Sequence, residues 1–456
     1  MNIYFCFNIL PGRQANYLAS RFGWMATANM ILCVMFSMRN SPLGVLTTVS
    51  HTDLKVMHIA MGFVSGFLVL LHGSFYTFYF SRQSQLDRLF EPGNVQGFFA
   101  TTAMIVLLLG ILRHRNYEFF YISHVVGFSI VLVTLYLHRP DWAKKLQLLV
   151  SIMAGIWGLE RVIRLAKMAT HLVLCRERVT IYPLPGGGVQ LFIKTRRAVF
   201  CLPASYCYLW VPQVSWYQTH PFTIVSNGPS GVELVIKVCD GFTKDLYESA
   251  ERNHPAICRA SIDGPYGSLP DTTQYDKLVL VAGGSGAAFT FGLMNRILNI
   301  DERIKARSID FVWAVRTTDM LSWFRDHLLN ITSRPTVNVT IYVTGSEKPP
   351  QVKGSAVDMR HVLPEIPKSD ISEAGELESL LGNHSPAPEA MATIEYGKMS
   401  TDAVIDKAMQ TVSGDDRVLV AGCGPSTLME ALRGSVVRYG AKNECRIDLH
   451  CEGYDS

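Results

Sequence analysis

Four histidines in the first third of the chain are the residues whose placement most directly implies chemistry. His58 and His72 are fourteen positions apart, and so are His124 and His138. Each pair lies in an apolar stretch: residues 56–80 contain no Asp, Glu, Lys or Arg, and residues 117–138 contain only Glu118. At about 100° per residue, fourteen positions return a helix to within about 40° of whole turns. Both rings of a pair therefore share one face, about 21 Å apart along the axis. An imidazole inside a bilayer is costly without a partner. With one span between the two stretches they run in the same direction, which sets His58 level with His124 and His72 level with His138. Two neutral imidazoles facing across a helix pair can supply both axial ligands of a haem iron, and with no open axial position such a haem suits electron transfer better than oxygen binding. The plainer alternative is four histidines hydrogen-bonded to serines or backbone groups, against which the repeated spacing argues. His51 and His114 read as loop residues, and His171 has no matching partner.

The elements that must hold these rings follow from hydropathy. Apolar residues make up 48% of the 456 positions and charged ones only 18%, and the nearly uncharged stretches crowd the first 160 residues. Residues 22–38, 56–80, 95–112, 117–138 and 146–159 are long enough, or nearly so, to cross a core of about 30 Å. Lys144, Lys145, Arg161 and Arg164 extend the last one by snorkelling. Residues 1–10 are apolar but too short to span, and they lack the features of a signal peptide. Basic residues from Arg161 to Arg178 place the C-terminal half in the cytoplasm. A net charge of +4 is too small to imply nucleic-acid binding. Ten cysteines without a CxxC pair give neither a disulfide framework nor a zinc site.

Beyond Lys167 the pattern changes to short β-rich runs. "RVTIYPLPGGGVQLFIKT" reads as a hairpin turning at Gly186, Gly187 and Gly188, and the following strands indicate an antiparallel barrel. "KLVLVAGGSGAAFTFGLMNRIL" reads as a buried strand, a glycine turn and a helix, and further strand–helix alternation indicates a doubly wound parallel sheet. The turn of Gly283, Gly284, Ser285 and Gly286 lets a pyrophosphate approach the backbone. It departs from GxGxxG because Phe289 occupies the third glycine position. A second glycine turn, through Cys423, Gly424 and Pro425, also ends a strand. Residues 348–398 read as a mobile insertion. Asn330, Asn338 and Asn383 fit N-x-[ST], and a cytoplasmic position leaves them unmodified.

Taken together, the paired histidines, "HPFT", "GPYG", "GGSG" and "CGP", in that order, resemble the ferric reductase family of haem- and flavin-containing transmembrane reductases, which includes the NADPH oxidases. The stretch "SRFGWMATANMILCVMFSMRNSP" is similar to the span before the first haem helix of fungal metalloreductases. The resemblance implies three parts. Residues 1–166 are a helical transmembrane haem domain, 167–272 an antiparallel β-barrel FAD-binding domain, and 273–456 an α/β doubly wound NADPH-binding domain, the latter two as in ferredoxin-NADP reductase. It further implies His58, His72, His124 and His138 as ligands of two b-type haems. His220, Pro221, Phe222 and Thr223 would lie against FAD, with Gly241, Phe242 and Thr243 near its pyrophosphate. Gly264, Pro265, Tyr266 and Gly267, with the Gly283–Gly286 turn, would contact NADPH. Cys423, Gly424 and Pro425 would lie near the nicotinamide, and Arg316 is the candidate for the 2′-phosphate. Tyr454, in "HCEGY", stands where the family's terminal motif has an aromatic near the flavin.

Three departures stand out. The N-terminal region is short, Pro203-Ala204-Ser205 replaces a frequent Pro-Gly-Gln, and Ile59 follows His58 where Arg is common. The expected activity is transfer of electrons from cytosolic NADPH through FAD and two haems to ferric chelates, with cupric ions as a further acceptor. The plasma membrane, or a vacuolar or other endomembrane, is the expected site, with lipid as partner and no nucleic acid. Two alternatives stay open at this level: an oxidase passing the electrons to oxygen to give superoxide, and a membrane-anchored flavin-binding sensor or scaffold without electron transfer. No acid–base dyad is implied.

Overall fold

The computed structural model describes residues 14–39, 51–108, 117–138, 145–173, 177–253, 255–267, 269–299, 305–345, 356–363, 391–413, 415–442 and 446–453. Two compact units divide the chain, residues 1–166 and residues 167–456. The first is helical: α1 (Gln14–Ser37), α2 (His51–Arg82), α3 (Pro92–Leu108), α4 (Tyr117–Leu137) and α5 (Lys145–Val173). Four of these are long and apolar enough to cross a membrane, and α3, at 17 residues, is shorter. The last helix runs 29 residues, well beyond the expected 146–159, because Glu160, Arg161 and Arg164 find polar partners instead of ending it. Met30, Val34, Met104, Val131, Val150 and Met153 form a common core. Val56, Phe63, Phe67, Ile122, Val126 and Val133 point outwards, as residues do when the surrounding solvent is hydrocarbon.

The second unit begins with seven strands, β1 (Arg178–Leu184), β2 (Gly188–Lys194), β3 (Tyr206–Trp210), β4 (His220–Asn227), β5 (Gly231–Lys237), β6 (Ala256–Arg259) and β7 (Ser261–Tyr266). They form one sheet of order β6-β1-β2-β5-β4-β3-β7, every neighbouring pair antiparallel. The two edge strands, β6 and β7, are joined through Ala260 alone, so the sheet curls enough to bring the end of one edge to the start of the other, with no β6–β7 pairing among the described residues. The β1–β2 hairpin turns at Gly186 and Gly187, both at positive φ, as its glycine run predicts. A helix, α6 (Phe242–Arg252), sits on this sheet through Phe242, Leu246 and Ala250.

The remaining strands are β8 (Lys277–Gly283), β9 (Ser308–Val315), β10 (Val337–Val343), β11 (Ala356–Asp358), β12 (Met391–Tyr396), β13 (Arg417–Gly424) and β14 (Arg446–Gly453), in the order β11-β12-β10-β9-β8-β13-β14. All pairs are parallel except β11 with β12. Alternate residues of β8 enter different cores. Leu278, Leu280 and Ala282 meet α7 (Ala287–Asn299) and α8 (Arg325–Thr332), whereas Val279 and Val281 meet α9 (Thr401–Met409) and α10 (Ser426–Lys442). The sheet is thus doubly wound, with its strand order reversing between β8 and β13. The 348–398 stretch expected as an insertion supplies both β11 and β12, because the alternation in "MATIEY" suits a half-buried strand. Residues 364–390 lie outside the described residues.

Candidate functional site

In the membrane unit the four histidines meet as two pairs. The ring centroids of His58 and His124 are 6.2 Å apart, and those of His72 and His138 are also 6.2 Å apart. With metal–nitrogen bonds of about 2.0–2.1 Å, two imidazoles on opposite sides of one metal have centroids about 6.2–6.4 Å apart. The second shell fixes the tautomer. His58 Nδ1 lies 2.9 Å from the Cys33 carbonyl, His72 Nδ1 2.7 Å from that of Ala19, and His138 Nδ1 2.7 Å from that of Gly93. A carbonyl only accepts, so each Nδ1 carries the proton and each Nε2 presents a lone pair. A metal-binding imidazole needs that arrangement. Backbone bonding, the plainer reading of these histidines, is thus present but uses only one nitrogen of each ring. His124 Nδ1 is buried without a hydrogen bond among the described residues.

Glycines make room for the second pair. A Cβ on Gly23 would stand 2.7 Å from His72 Nδ1, and one on Gly97 would stand 3.0 Å from His138. A cavity of about 1220 Å³ opens beside these rings, lined by Gly23, Gly97, His72 and His138 among others. Its size, its paired nitrogen donors and its apolar walls fit a haem.

In the second unit, "HPFT" opens β4 and "GFT" caps α6. His220 stacks on Phe242 at 4.5 Å and 17°, with Phe222 6.3 Å from the same ring. Burial lowers the pKa of His220 below its ordinary value, and its Nε2 is buried with no hydrogen-bond partner among the described residues. That orphaned nitrogen, beside Gly241 at φ +80 and the start of α6, fits a phosphate-bearing flavin. "GPYG" ends β7. Tyr266 pairs with Tyr206 of β3, whose other edge pairs with β4, so the motif belongs to the flavin sheet. Ala204, in the departure from Pro-Gly-Gln, has φ +68, a conformation that glycine holds without strain.

The two glycine turns come together at the point where strand order reverses. A Cβ on Gly424 would stand 3.2 Å from the Gly283 backbone, and one on Gly286 would lie 2.2 Å from the Cys423 carbonyl. Trp313 Nε1 donates to the Gly284 carbonyl at 3.0 Å and holds the first turn open. The crevice outside such a reversal is where open α/β sheets bind nucleotides. Burial pushes the Cys423 thiol up to about 12, so it stays protonated. Arg316 follows β9 at the same end of the sheet and is exposed. Tyr454 lies outside the described residues.

Models of three known parts match the chain in order: the ferric reductase like transmembrane component at residues 22–135, the FAD-binding domain at 177–269, and the ferric reductase NAD binding domain at 275–437. The chain belongs to the ferric reductase family. Among curated members, "Ferric reductase transmembrane component 6" of Saccharomyces cerevisiae is 26% identical over 94% of this chain and 59% of its own length. "Probable cell surface ferric reductase kap2" of Aspergillus oryzae is 29% identical over 72% of this chain and 48% of its own. The chain spans about half to three-fifths of the length of those relatives. A ferredoxin NADP+ reductase from Neisseria gonorrhoeae, with FAD and NADP bound, aligns with 60% of the chain and 97% of its own at a TM-score of 0.40 and 11% identity.

Sequence reading missed the carbonyls of Ala19, Cys33 and Gly93, since a backbone acceptor has no residue signature; the glycines at 23 and 97, inside apolar helices, were the available signal. It also missed two polar clusters. His171, read as partnerless, lies 2.9 Å from Arg197 Nη1. Glu233 on β5 accepts from Ser226 (2.6 Å), Gln190 (2.7 Å) and His327 of α8 (2.9 Å).

Proposed function

We propose that the chain is a transmembrane ferric-chelate reductase that draws on cytosolic NADPH and delivers single electrons to ferric iron on the far side of the membrane. FAD, when bound, converts a two-electron hydride into one-electron transfers, and bis-histidine haem carries those electrons across the bilayer. The rest of the work falls to the chain. His58 with His124, and His72 with His138, would each hold one haem iron, the two pairs lying about 21 Å apart along the helices. The carbonyls of Ala19, Cys33 and Gly93 orient three of those rings. His220, Pro221, Phe222 and Thr223, with Gly241, Phe242 and Thr243, bind the flavin, and the flat His220–Phe242 stack excludes water beside it.

The Gly283–Gly286 turn and the adjoining Gly424 let the nucleotide reach the backbone. Arg316 offers a guanidinium to a 2′-phosphate, which favours NADPH over NADH. Cys423 would present a neutral thiol, held protonated by burial, where the nicotinamide would lie.

The observation that carries this reading is the pair of 6.2 Å imidazole contacts, with the Nδ1 protons of His58, His72 and His138 committed to carbonyls. A reduced spectrum of the purified protein should show sharp low-spin α and β bands, with intensity falling in His58→Ala and in His138→Ala. Absence of these bands under adequate haem supply refutes the proposal. A superoxide yield matching NADPH consumption in chelate-free buffer would make oxygen the acceptor instead.

A further inference from the structure

The helix α7 begins directly after the Gly283–Gly286 turn and lies against β4, the strand that opens with the flavin motif. The register of β4 on β5 slips between Ile224 and Ser226, so Val225 is a bulged residue outside that ladder. Asn295 of α7, itself buried, donates from Nδ2 to the Val225 carbonyl at 2.8 Å. One turn earlier, on the same face of the helix, stands Gly292. A Cβ there would lie 2.5 Å from the Ala204 nitrogen and 2.8 Å from the Ile224 carbonyl oxygen. Those two backbone groups are hydrogen-bonded to each other at 2.9 Å, so a methyl group at 292 would have to part them or push α7 outward. Glycine is a weak helix former, and in the buried interior of α7 this close approach is the reason for it. Beyond Asn295 the seam continues. His327 Nδ1 of α8 lies 3.1 Å from Asn295 Nδ2, and His327 Nε2 lies 2.9 Å from Glu233, which accepts from Ser226 next to the bulge. The seam includes none of the residues assigned to either cofactor.

We propose that Gly292 and Asn295 are positioning residues for hydride transfer: by seating α7 on β4 they set the separation between a nucleotide at the Gly283–Gly286 turn and a flavin at His220–Thr223. The assignment rests on the flavin and nucleotide sites proposed above. From Gly292 the helix reaches Gly286 in six residues, about 9 Å, and from Ile224 the strand reaches His220 in four, about 13 Å. Both connections are short and mostly regular, so a displacement at the seam reaches the two binding ends. Hydride transfer moves one proton and two electrons from the reduced nicotinamide to the oxidised flavin, and leaves NADP+ and reduced flavin. Its rate depends steeply on the gap between the two rings, and a misplacement of about 1 Å can cost about a hundredfold. Neither Gly292 nor Asn295 belongs to a cofactor site, so disturbing either should lower the rate and leave affinity alone.

The experiment is anaerobic stopped-flow reduction of the flavin by NADPH in full-length protein in nanodiscs. Gly292→Ala should lower the limiting rate of flavin reduction by about tenfold or more, with the NADPH Kd within about twofold of wild type and FAD content unchanged. Asn295→Ala should separate rate from affinity in the same direction. A second readout is spectroscopic. Chemically reduced protein mixed with NADP+ shows long-wavelength charge-transfer absorbance only when the two rings stack, and both variants should weaken that band. Gly440→Ala in α10, where nothing lies within 4 Å of the added Cβ, is the control and should match wild type. An unchanged limiting rate and charge-transfer band in both variants overturn the proposal. So does a rate that returns to the wild-type limit at saturating NADPH, because the seam would then serve binding, and so does an equal loss in Gly440→Ala. If Gly292→Ala protein does not retain flavin, Asn295→Ala serves alone. Loss of flavin from both makes the seam a folding element and overturns the positioning role. A wild-type flavin that NADPH does not reduce instead overturns the donor reading, a result separable from a reducible wild type whose seam variants match it.

Discussion

The Glu233–His327 pair gives a sharp quantitative test, because it ties the flavin sheet to the nucleotide lobe. Glu233 is 1% exposed on β5 and His327 is 3% exposed on α8. Burial alone would raise the Glu233 pKa. The charge of His327, with hydrogen bonds from His327, Ser226 and Gln190, outweighs it and holds the carboxyl at about 2. For His327 burial opposes protonation, and the Glu233 carboxylate outweighs burial and raises the imidazole above its ordinary value. Relative to an ordinary 4.5, the Glu233 shift corresponds to on the order of 3 kcal/mol, and removing one member of a buried pair costs about 3–5 kcal/mol.

His327→Leu should therefore lower the thermal midpoint of the full-length protein by on the order of 5–10 °C, read as flavin release at pH 6. The pH dependence follows from the two shifts. The Glu233 contribution is full above its unfolded pKa and is lost as pH falls towards about 2. The His327 contribution is full below about 6.5 and is lost as pH rises through its raised folded value. The gap between wild type and His327→Leu should thus be widest at about pH 4.5–6.5 and shrink in acid. In a Glu233→Gln background the same substitution should cost only about 1 kcal/mol, the value of a neutral hydrogen bond. A midpoint change under about 2 °C, or an equal loss in both backgrounds, refutes the reasoning.

Three further outcomes are expected. Ala204→Gly should raise stability by about 1 kcal/mol in the same melt, since φ +68 strains alanine and not glycine; a destabilised variant would contradict this. Gly23→Val, which forces atoms to within 2.7 Å of His72 Nδ1, should halve the haem absorbance while leaving flavin content intact, and full haem occupancy would count against that packing. Gly286→Ala meets the rigid Cys423 carbonyl and should raise the NADPH Kd at least tenfold in a flavin-reduction assay without loss of FAD; unchanged affinity would remove this turn from the nucleotide site.

Much of this protein is legible in one dimension. The fourteen-residue interval between histidines survives because helical rise and pitch convert sequence spacing directly into depth and face. The glycine run at 186–188 forms the expected hairpin, and both later glycine turns end parallel strands as read, because tight turns depend on local backbone freedom. Hydropathy located the membrane helices, yet it ended α5 near residue 159, since Glu160 and Arg161 look like a terminus until their partners are known. The strands β11 and β12 were hidden in a stretch of mixed composition for a similar reason: a short edge strand is made by its neighbour's ladder.

Tertiary structure alone decided which groups meet across long separations. Ala19, Cys33 and Gly93 offer only carbonyls, which every residue possesses, so no residue type marks them as the acceptors for His72, His58 and His138. Glu233 and His327 are 94 positions apart, and only the seating of α8 against the flavin sheet brings them together. The close approach of Gly283 and Gly424 likewise requires β8 and β13 to be neighbours, a fact of strand order. Local geometry is written in periodicity and turn residues, whereas partnership depends on a global packing in which each contact is settled by all the others.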